Sequence, residues 1–177
     1  MAADLCVHHA VVSGPQRQPC YDCCPSVSPH DALAPTAAAA DETHTPTHAS
    51  DDACVYSTSF SPHVPFLVGS CSGSGHFALH DTRLPAGSPA QVRFVPFAPG
   101  IEALSFDFNK YDQGVVALAG TDKTVRVCDL RQGGRESARA VGHTFPARAV
   151  KWSPWKRSVF ASAGYDMSCR MYVTDPG

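Results

Sequence analysis

The feature that most constrains this chain is that it repeats itself. Three segments align without gaps, Tyr56 to Asp81, Leu104 to Asp129 and Arg148 to Val173, at offsets of 48 and then 44 residues. Each copy opens on a run that ends in an aromatic: Phe60, Phe108 and Trp152. Two copies continue with Ser-Pro (Ser61-Pro62 and Ser153-Pro154), which closes a strand into a turn because proline has no N–H to give a ladder. A small apolar run follows, Phe66 to Ser70, Val115 to Ala119 and Val159 to Ala163. Next comes a tight turn, Gly120-Thr121-Asp122-Lys123-Thr124 or Gly164-Tyr165-Asp166-Met167-Ser168. Asp122 and Asp166 are assigned to turn structure, since a short Asx side chain accepts hydrogen bonds from turn amides. The last run alternates, as in Val125-Arg126-Val127 and Cys169-Arg170-Met171. Every difference in spacing falls between that run and the next copy.

Short alternating strands in a unit of about 40–45 residues are the pattern of a WD40-type β-propeller blade. The fold class expected is therefore all-β, an incomplete ring of three repeat units. They cover about residues 54–95, 102–141 and 143–173, within a propeller region spanning 53–177. Fourth strands are expected near Gln91 to Val95 and Ser137 to Val141, while the third unit stops after its third strand. Three blades do not close a ring, and blade faces are buried only by neighbouring blades. The expectation is a piece of a longer propeller, or a chain that needs partners on its open sides.

The departures from the usual blade also carry information. Where such blades end in Trp-Asp, this chain has His80-Asp81, Cys128-Asp129 and Tyr172-Val173. Ser74 replaces the turn Asp in the first copy, and Gly142-His143 precedes the third. Only the third copy, with His143, Asp166 and Tyr172, has the parts of a buried polar chain. A thiol such as Cys128 is a poor substitute for an indole donor. The blades should therefore rest mainly on packing.

Residues 1–52 differ in character, with an alanine run at Ala37 to Ala40, scattered proline and histidine, and few large apolar groups. Such a segment buries too little to offset its chain entropy and is expected to be disordered. The formal net charge of −2 gives no reason to expect nucleic acid as a partner. No apolar run approaches the roughly 20 residues of a bilayer span, so no direct membrane insertion is expected. Eight irregularly spaced cysteines read as reduced thiols. Gly69-Ser70-Cys71-Ser72-Gly73 has the outline of a nucleophile elbow but lacks the strand-turn-helix setting that chemistry needs. Cys20, Cys23 and Cys24 with His8, His9 and His30 have half of a zinc-finger spacing and no second half. A binding module is expected: no catalytic residue, no metal and no cofactor.

Three stretches go beyond a generic propeller. They are Cys54-Val55-Tyr56-Ser57-Thr58 leading to Phe60-Ser61-Pro62-His63, then Glu102 to Tyr111, then Ala161 to Arg170. With Asp81-Thr82-Arg83-Leu84-Pro85-Ala86-Gly87, they make residues 53 to 173 resemble the peroxin-7 family, receptors for the type-2 peroxisomal targeting signal, and its fungal members in particular. The resemblance implies binding of a short cargo helix with an Arg-Leu pair and a later His/Gln-Leu pair. It also implies a peroxin co-receptor, delivery to a peroxisomal docking complex, and shuttling between cytosol and peroxisome matrix. Recognition would be helix-in-groove, with leucines seeking apolar surface and the arginine an acid.

In a propeller, the loops before the first strand and between the second and third share one face. Glu102 belongs to that face and would complement a cargo arginine; a solvated loop carboxylate is the plain alternative. Asp51 and Asp52 stand at nearly the same place in the first copy. Tyr165 would pack on cargo leucines or only within its own blade, and Arg148 would position a partner carboxylate. The other reading of the whole chain is a propeller scaffold for an unrelated complex.

Overall fold

Runs of alternating and β-branched residues, punctuated by Gly, Pro, Ser and Asp, fold here as short strands and turns. The computed structural model describes residues 3–4, 7–8, 53–85 and 88–174. In chain order the strands are β1 (Ala3–Asp4), β2 (Val7–His8), β3 (Val55–Phe60), β4 (Leu67–Ser72), β5 (Phe77–Asp81), β6 (Val92–Phe94) and β7 (Ala103–Phe108). They continue with β8 (Val115–Gly120), β9 (Thr124–Asp129), β10 (Arg135–Val141), β11 (Ala147–Trp152), β12 (Val159–Gly164) and β13 (Cys169–Val173). Among the described residues the helical element is one 3-10 turn, Leu130–Gln132.

The strands form three sheets, ordered β3-β4-β5-β6, β1-β10-β9-β8-β7 and β11-β12-β13-β2. Each copy of the repeat builds one sheet by antiparallel pairing of neighbours in sequence. The copies share even their irregularities. A register shift falls at Val55/Ser57, Ala103/Ser105 and Ala147/Ala149, the same place in all three. The amides of Ser61, Asn109 and Ser153 donate to the carbonyls of Leu67, Val115 and Val159. Those of Thr82, Leu130 and Thr174 donate to Phe66, Gly114 and Ser158. Asp81 and Asp129 accept the amides of Arg83 and Arg131, so each ends its strand by capping the following turn. Val173 has no oxygen to do this.

The repeat spacing predicts a third unit that stops at its third strand. The structure instead pairs Met171 with His8 and Tyr172 with Val7, so β2 supplies that sheet with a fourth strand from the N-terminal segment. β1 adds to the second sheet in parallel, Ala3 beside Ala138. A two-residue strand has no periodicity to read, which is why the sequence is silent about it. The rest of residues 1–52, including the cysteine and histidine cluster and the expected disorder, lies outside the described residues.

Two hydrophobic seams join the sheets. Between the first and second, Cys71, Phe77 and Leu79 meet Phe106, Phe108 and Leu118, with Phe77 and Phe106 edge to face at 5.1 Å. Close approach requires a glycine here: a Cβ on Gly69 would lie 2.8 Å from the rings of both Phe106 and Phe108. Between the second and third, Ala117, Ala119, Val125 and Val127 receive Val150, Trp152, Phe160 and Tyr172. Asp107, buried at the second seam, accepts the Trp152 amide at 2.8 Å and an ammonium hydrogen of Lys110 at 2.9 Å. That satisfies a carboxylate whose burial would otherwise be costly.

Candidate recognition face

The face that bears the site is defined by a hydrogen bond made three times. The amides of Gly73, Thr121 and Tyr165, in the turns between second and third strands, donate to the carbonyls of Cys54, Glu102 and Pro146. Those carbonyls belong to the segments that enter β3, β7 and β11. Each turn is thereby pinned beside the start of its own first strand. Two positions further along each turn the backbone changes hand. Gly75, Lys123 and Met167 are equivalent, and all three have left-handed backbones, with φ of 81°, 69° and 57°. Only the first is the glycine such a conformation favours. The turn therefore thrusts Met167 outward, and it is 93% exposed.

The second and third turns are held from within by their aspartates. Asp122 accepts the Thr124 amide and hydroxyl and an Arg126 guanidinium hydrogen. Asp166 accepts from the amides of Thr144 and Ser168 and from the Ser168 hydroxyl, and lies 2.9 Å from His143 Nδ1. Burial opposes ionisation of Asp166, but the Ser168 and His143 hydrogen bonds and the two amides outweigh it and hold its carboxyl well below the usual carboxylate range. His143 Nε2 reaches the Ser162 hydroxyl at 2.6 Å. Gly164 makes room, since a Cβ there would stand 2.6 Å from His143 Nδ1. Ser162 is a member of this line that the alignment does not single out. Tyr172 is buried and stacks on Phe160 at 5.2 Å. In the first copy a hydroxyl relay, Ser72 to Ser74 to His76, replaces the aspartate.

Glu102 lies at the seam between the first two sheets on this face. Its amide donates to the Thr121 hydroxyl, and its carboxylate accepts the Tyr56 phenol at 3.4 Å. The Glu102 charge raises the Tyr56 pKa above its ordinary value, and Tyr165 adds to the effect from the third sheet's turn. Tyr56 and Tyr165 are both exposed. Phe145 is also exposed and sits between Thr144 and Pro146, which bond to Asp166 and Tyr165. One face thus carries Glu102 with Tyr56 against it and, on the third sheet's turn and entry loop, the exposed Tyr165, Phe145 and Met167. Arg148 is exposed on β11, near enough for its charge to act on the Cys71 thiol. Asp51 and Asp52 lie outside the described residues. Sequence reasoning named Glu102, Tyr165 and Arg148 but not Tyr56, Phe145 and Met167.

Cys71 is fully buried inside β4, and burial pushes its thiol up to about 12, so it presents no thiolate. On the opposite face, a cavity of about 370 Å³ opens between the first two sheets, lined by Leu79, Val92, Phe108 and Leu130 with His63 and Asp112. It is separate from the Glu102 face.

The chain is 38% identical over 138 residues to the peroxisomal targeting signal 2 receptor of Saccharomyces cerevisiae. Over the matched stretch it belongs to that receptor family. The match covers 67% of this chain and 36% of the relative. The receptor of the same name from Komagataella phaffii is 35% identical over 131 residues, covering 70% of this chain and 34% of the relative. The chain thus spans about a third of the length of these relatives. A histone acetyltransferase type B subunit 2 from Debaryomyces hansenii is 30% identical over 107 residues, covering 56% of this chain and 25% of that protein. No family model matches.

Proposed function

We propose that this chain is the part of a peroxisomal import receptor that holds the basic end of a type-2 targeting helix, in the cytosol, on the face bearing Glu102. The observation that carries the reading is the grouping of one carboxylate with Tyr56, Tyr165, Phe145 and Met167 on a single exposed face. A helix that presents arginine and leucine on one side asks for that combination. The acid supplies a charge-assisted hydrogen bond, and the aromatics and methionine supply adaptable apolar surface. The names of its relatives give the cargo class. Delivery to a peroxisomal docking complex, a peroxin co-receptor and return from the peroxisome matrix complete the proposed cycle.

The second reading, a propeller scaffold for another complex, draws on the histone acetyltransferase subunit match. Immobilised type-2 signal peptide separates the two. Retention of the chain on the native peptide, with loss on a scrambled peptide and on one whose arginine is alanine, is the expected result. Equal retention on all three would remove the import reading.

A further inference from the structure

One position of the repeat holds an arginine in two copies, and the two arginines are held differently. Arg83 and Arg131 each stand two residues after the aspartate that ends the third strand, Asp81 or Asp129. Arg83 lies over the Phe66 ring, 3.5 Å from its centroid. Its Nε and Nη2 hydrogens go to both oxygens of Asp81, the shortest contact being 2.6 Å. In the second copy Gly114 takes the place of Phe66. Gly114 has a left-handed backbone, φ 89°, and the Arg131 side chain crosses it: a Cβ there would stand 3.1 Å from Arg131 Nε. With a glycine beneath it in place of a ring, Arg131 reaches Asp129 at 3.6 Å, too long for a hydrogen bond. Arg83 is locked onto its own sheet, and Arg131 is held loosely at the surface.

Arg131 lines the cavity of about 370 Å³ between the first two sheets. The wall of that cavity is mostly apolar, from Leu67, Leu79, Val92, Phe108 and Leu130. A neighbouring cavity of about 450 Å³, between the second and third sheets, takes much of its wall from Asn109, Ser137, Arg157, Ser158 and Thr174. Water finds hydrogen-bond partners in the second and few in the first, which suits an apolar group. The charges beside the apolar cavity are layered. Asp112 and Asp129 are tucked in, with side chains 25% and 21% exposed, beneath Arg157 and Arg131 at 71% and 67%. What meets solvent at this rim is guanidinium.

We infer that this cavity seats one bulky apolar side chain of an acidic peptide segment, with Arg131 taking a carboxylate beside it. The occupant carries more than one acid, because two guanidiniums face solvent at the rim and complementary charge selects it. A peptide segment brings those acids and the apolar side chain together in one strand. The volume, near the lower end of the roughly 300–1,000 Å³ of ligand pockets, suits a single side chain rather than a whole helix. The molecule therefore offers an acid on the Glu102 face and bases on the opposite one, so that partners of opposite charge are held at once.

The test is isothermal titration of the full 177-residue chain with a capped peptide that carries phenylalanine between two pairs of glutamates. Saturable binding that weakens as salt rises is expected. Peptides with alanine at the centre, or with lysines for the glutamates, should bind at least about tenfold more weakly. Arg131→Gln, at an exposed position, should weaken the acidic peptide by about tenfold or more. It should change little for a peptide whose glutamates are glutamines. Val64→Trp puts a larger group on the cavity wall and should abolish binding with circular dichroism unchanged. Neither variant should alter retention on the type-2 signal peptide, whose proposed site is the Glu102 face. No binding of the acidic peptide by the parent chain overturns the inference. So do equal affinities for the three peptides, an Arg131→Gln variant that binds like the parent, or octanoate, titrated in parallel, binding where the peptide does not.

Discussion

β3 and β7 are the same strand of the same repeat, yet every residue of β7 is buried while β3 runs exposed and half-buried. Sequence explains only part of this: Val55–Phe60 carries four hydroxyl side chains, where Ala103–Phe108 has Ser105 and Asp107 as its polar residues. What differs is the neighbour. β7 has a sheet on each side, and β3 has a described sheet on one. In a repeat architecture the energy of a residue belongs to the interface that covers it. Equivalent positions in different copies are therefore natural controls for one another.

Trp152 and Phe60 make the largest such contrast. Trp152 is 4% exposed in the second seam, against 65% for Phe60. Trp152→Ala should destabilise by about 3–5 kcal/mol, a typical cost of deleting a buried aromatic. Phe60→Ala should change stability by less than about 0.5 kcal/mol. Urea unfolding of both variants measures the difference. A similar cost for the two would mean that the Phe60 ring is covered in solution.

The two turn aspartates come next. Asp166 is bound by His143, Ser168 and the Thr144 amide, whereas Asp122 answers to its own turn and Arg126. Asp166→Asn should cost roughly 1.5–3 kcal/mol near neutral pH, the range for hydrogen bonds to a charged group. The sign of the pH dependence follows from the depressed carboxyl. Its contribution is complete above the unfolded carboxylate value of about 3.9 and is lost as pH falls through the lower folded value. Asp81, lowered to about 2 chiefly by Arg83, acts in the same window. Acid unfolding of Asp166→Asn should be shallower than that of the parent; an unchanged slope would assign the acid limb to other groups.

How much of this was legible in the sequence differs by feature. The three sheets, their aromatic strand ends and the turn aspartates could be read because period and offset repeat. The left-handed turn position could not, since Lys123 and Met167 hide what Gly75 reveals. Ser162 looked like any small strand residue until His143 was seen to reach it. Tyr56 was invisible as a site residue because its partner Glu102 lies 46 positions away. Local pattern records what a residue's own strand requires, and none of these features is set by a single strand.

Met167 sharpens the comparison further, because Gly75 occupies the same left-handed position at no steric cost. A side chain there costs about 1 kcal/mol or somewhat more. Met167→Gly should therefore raise stability by about 1 kcal/mol, read as a higher urea midpoint with an unchanged slope. If Met167 belongs to the recognition face, the same change should weaken retention on the signal peptide. Stability gained with binding unaffected would leave the methionine outside the site.

Glu102 should give the smallest effect on stability and the most informative one on recognition. Its bond to Tyr56 is long, 3.4 Å, and both groups face solvent, so Glu102→Gln should move stability by less than about 0.5 kcal/mol. Two other quantities should move. The Tyr56 phenol should titrate at lower pH once the neighbouring charge is gone, a shift visible in its ultraviolet absorbance. Peptide affinity should fall by about one to two decades, the worth of a charge-assisted hydrogen bond of roughly 1.5–3 kcal/mol. The decisive measurement crosses Glu102→Gln with an Arg→Ala change in the peptide. If the two groups meet, the second change costs little once the first is made, and that coupling isolates the contact from any general weakening. Strict additivity would make Glu102 a bystander, with the arginine held by an acid elsewhere. A shifted Tyr56 titration in the same variant would still show that the carboxylate lies where the structure puts it, so the geometry and the recognition can fail separately.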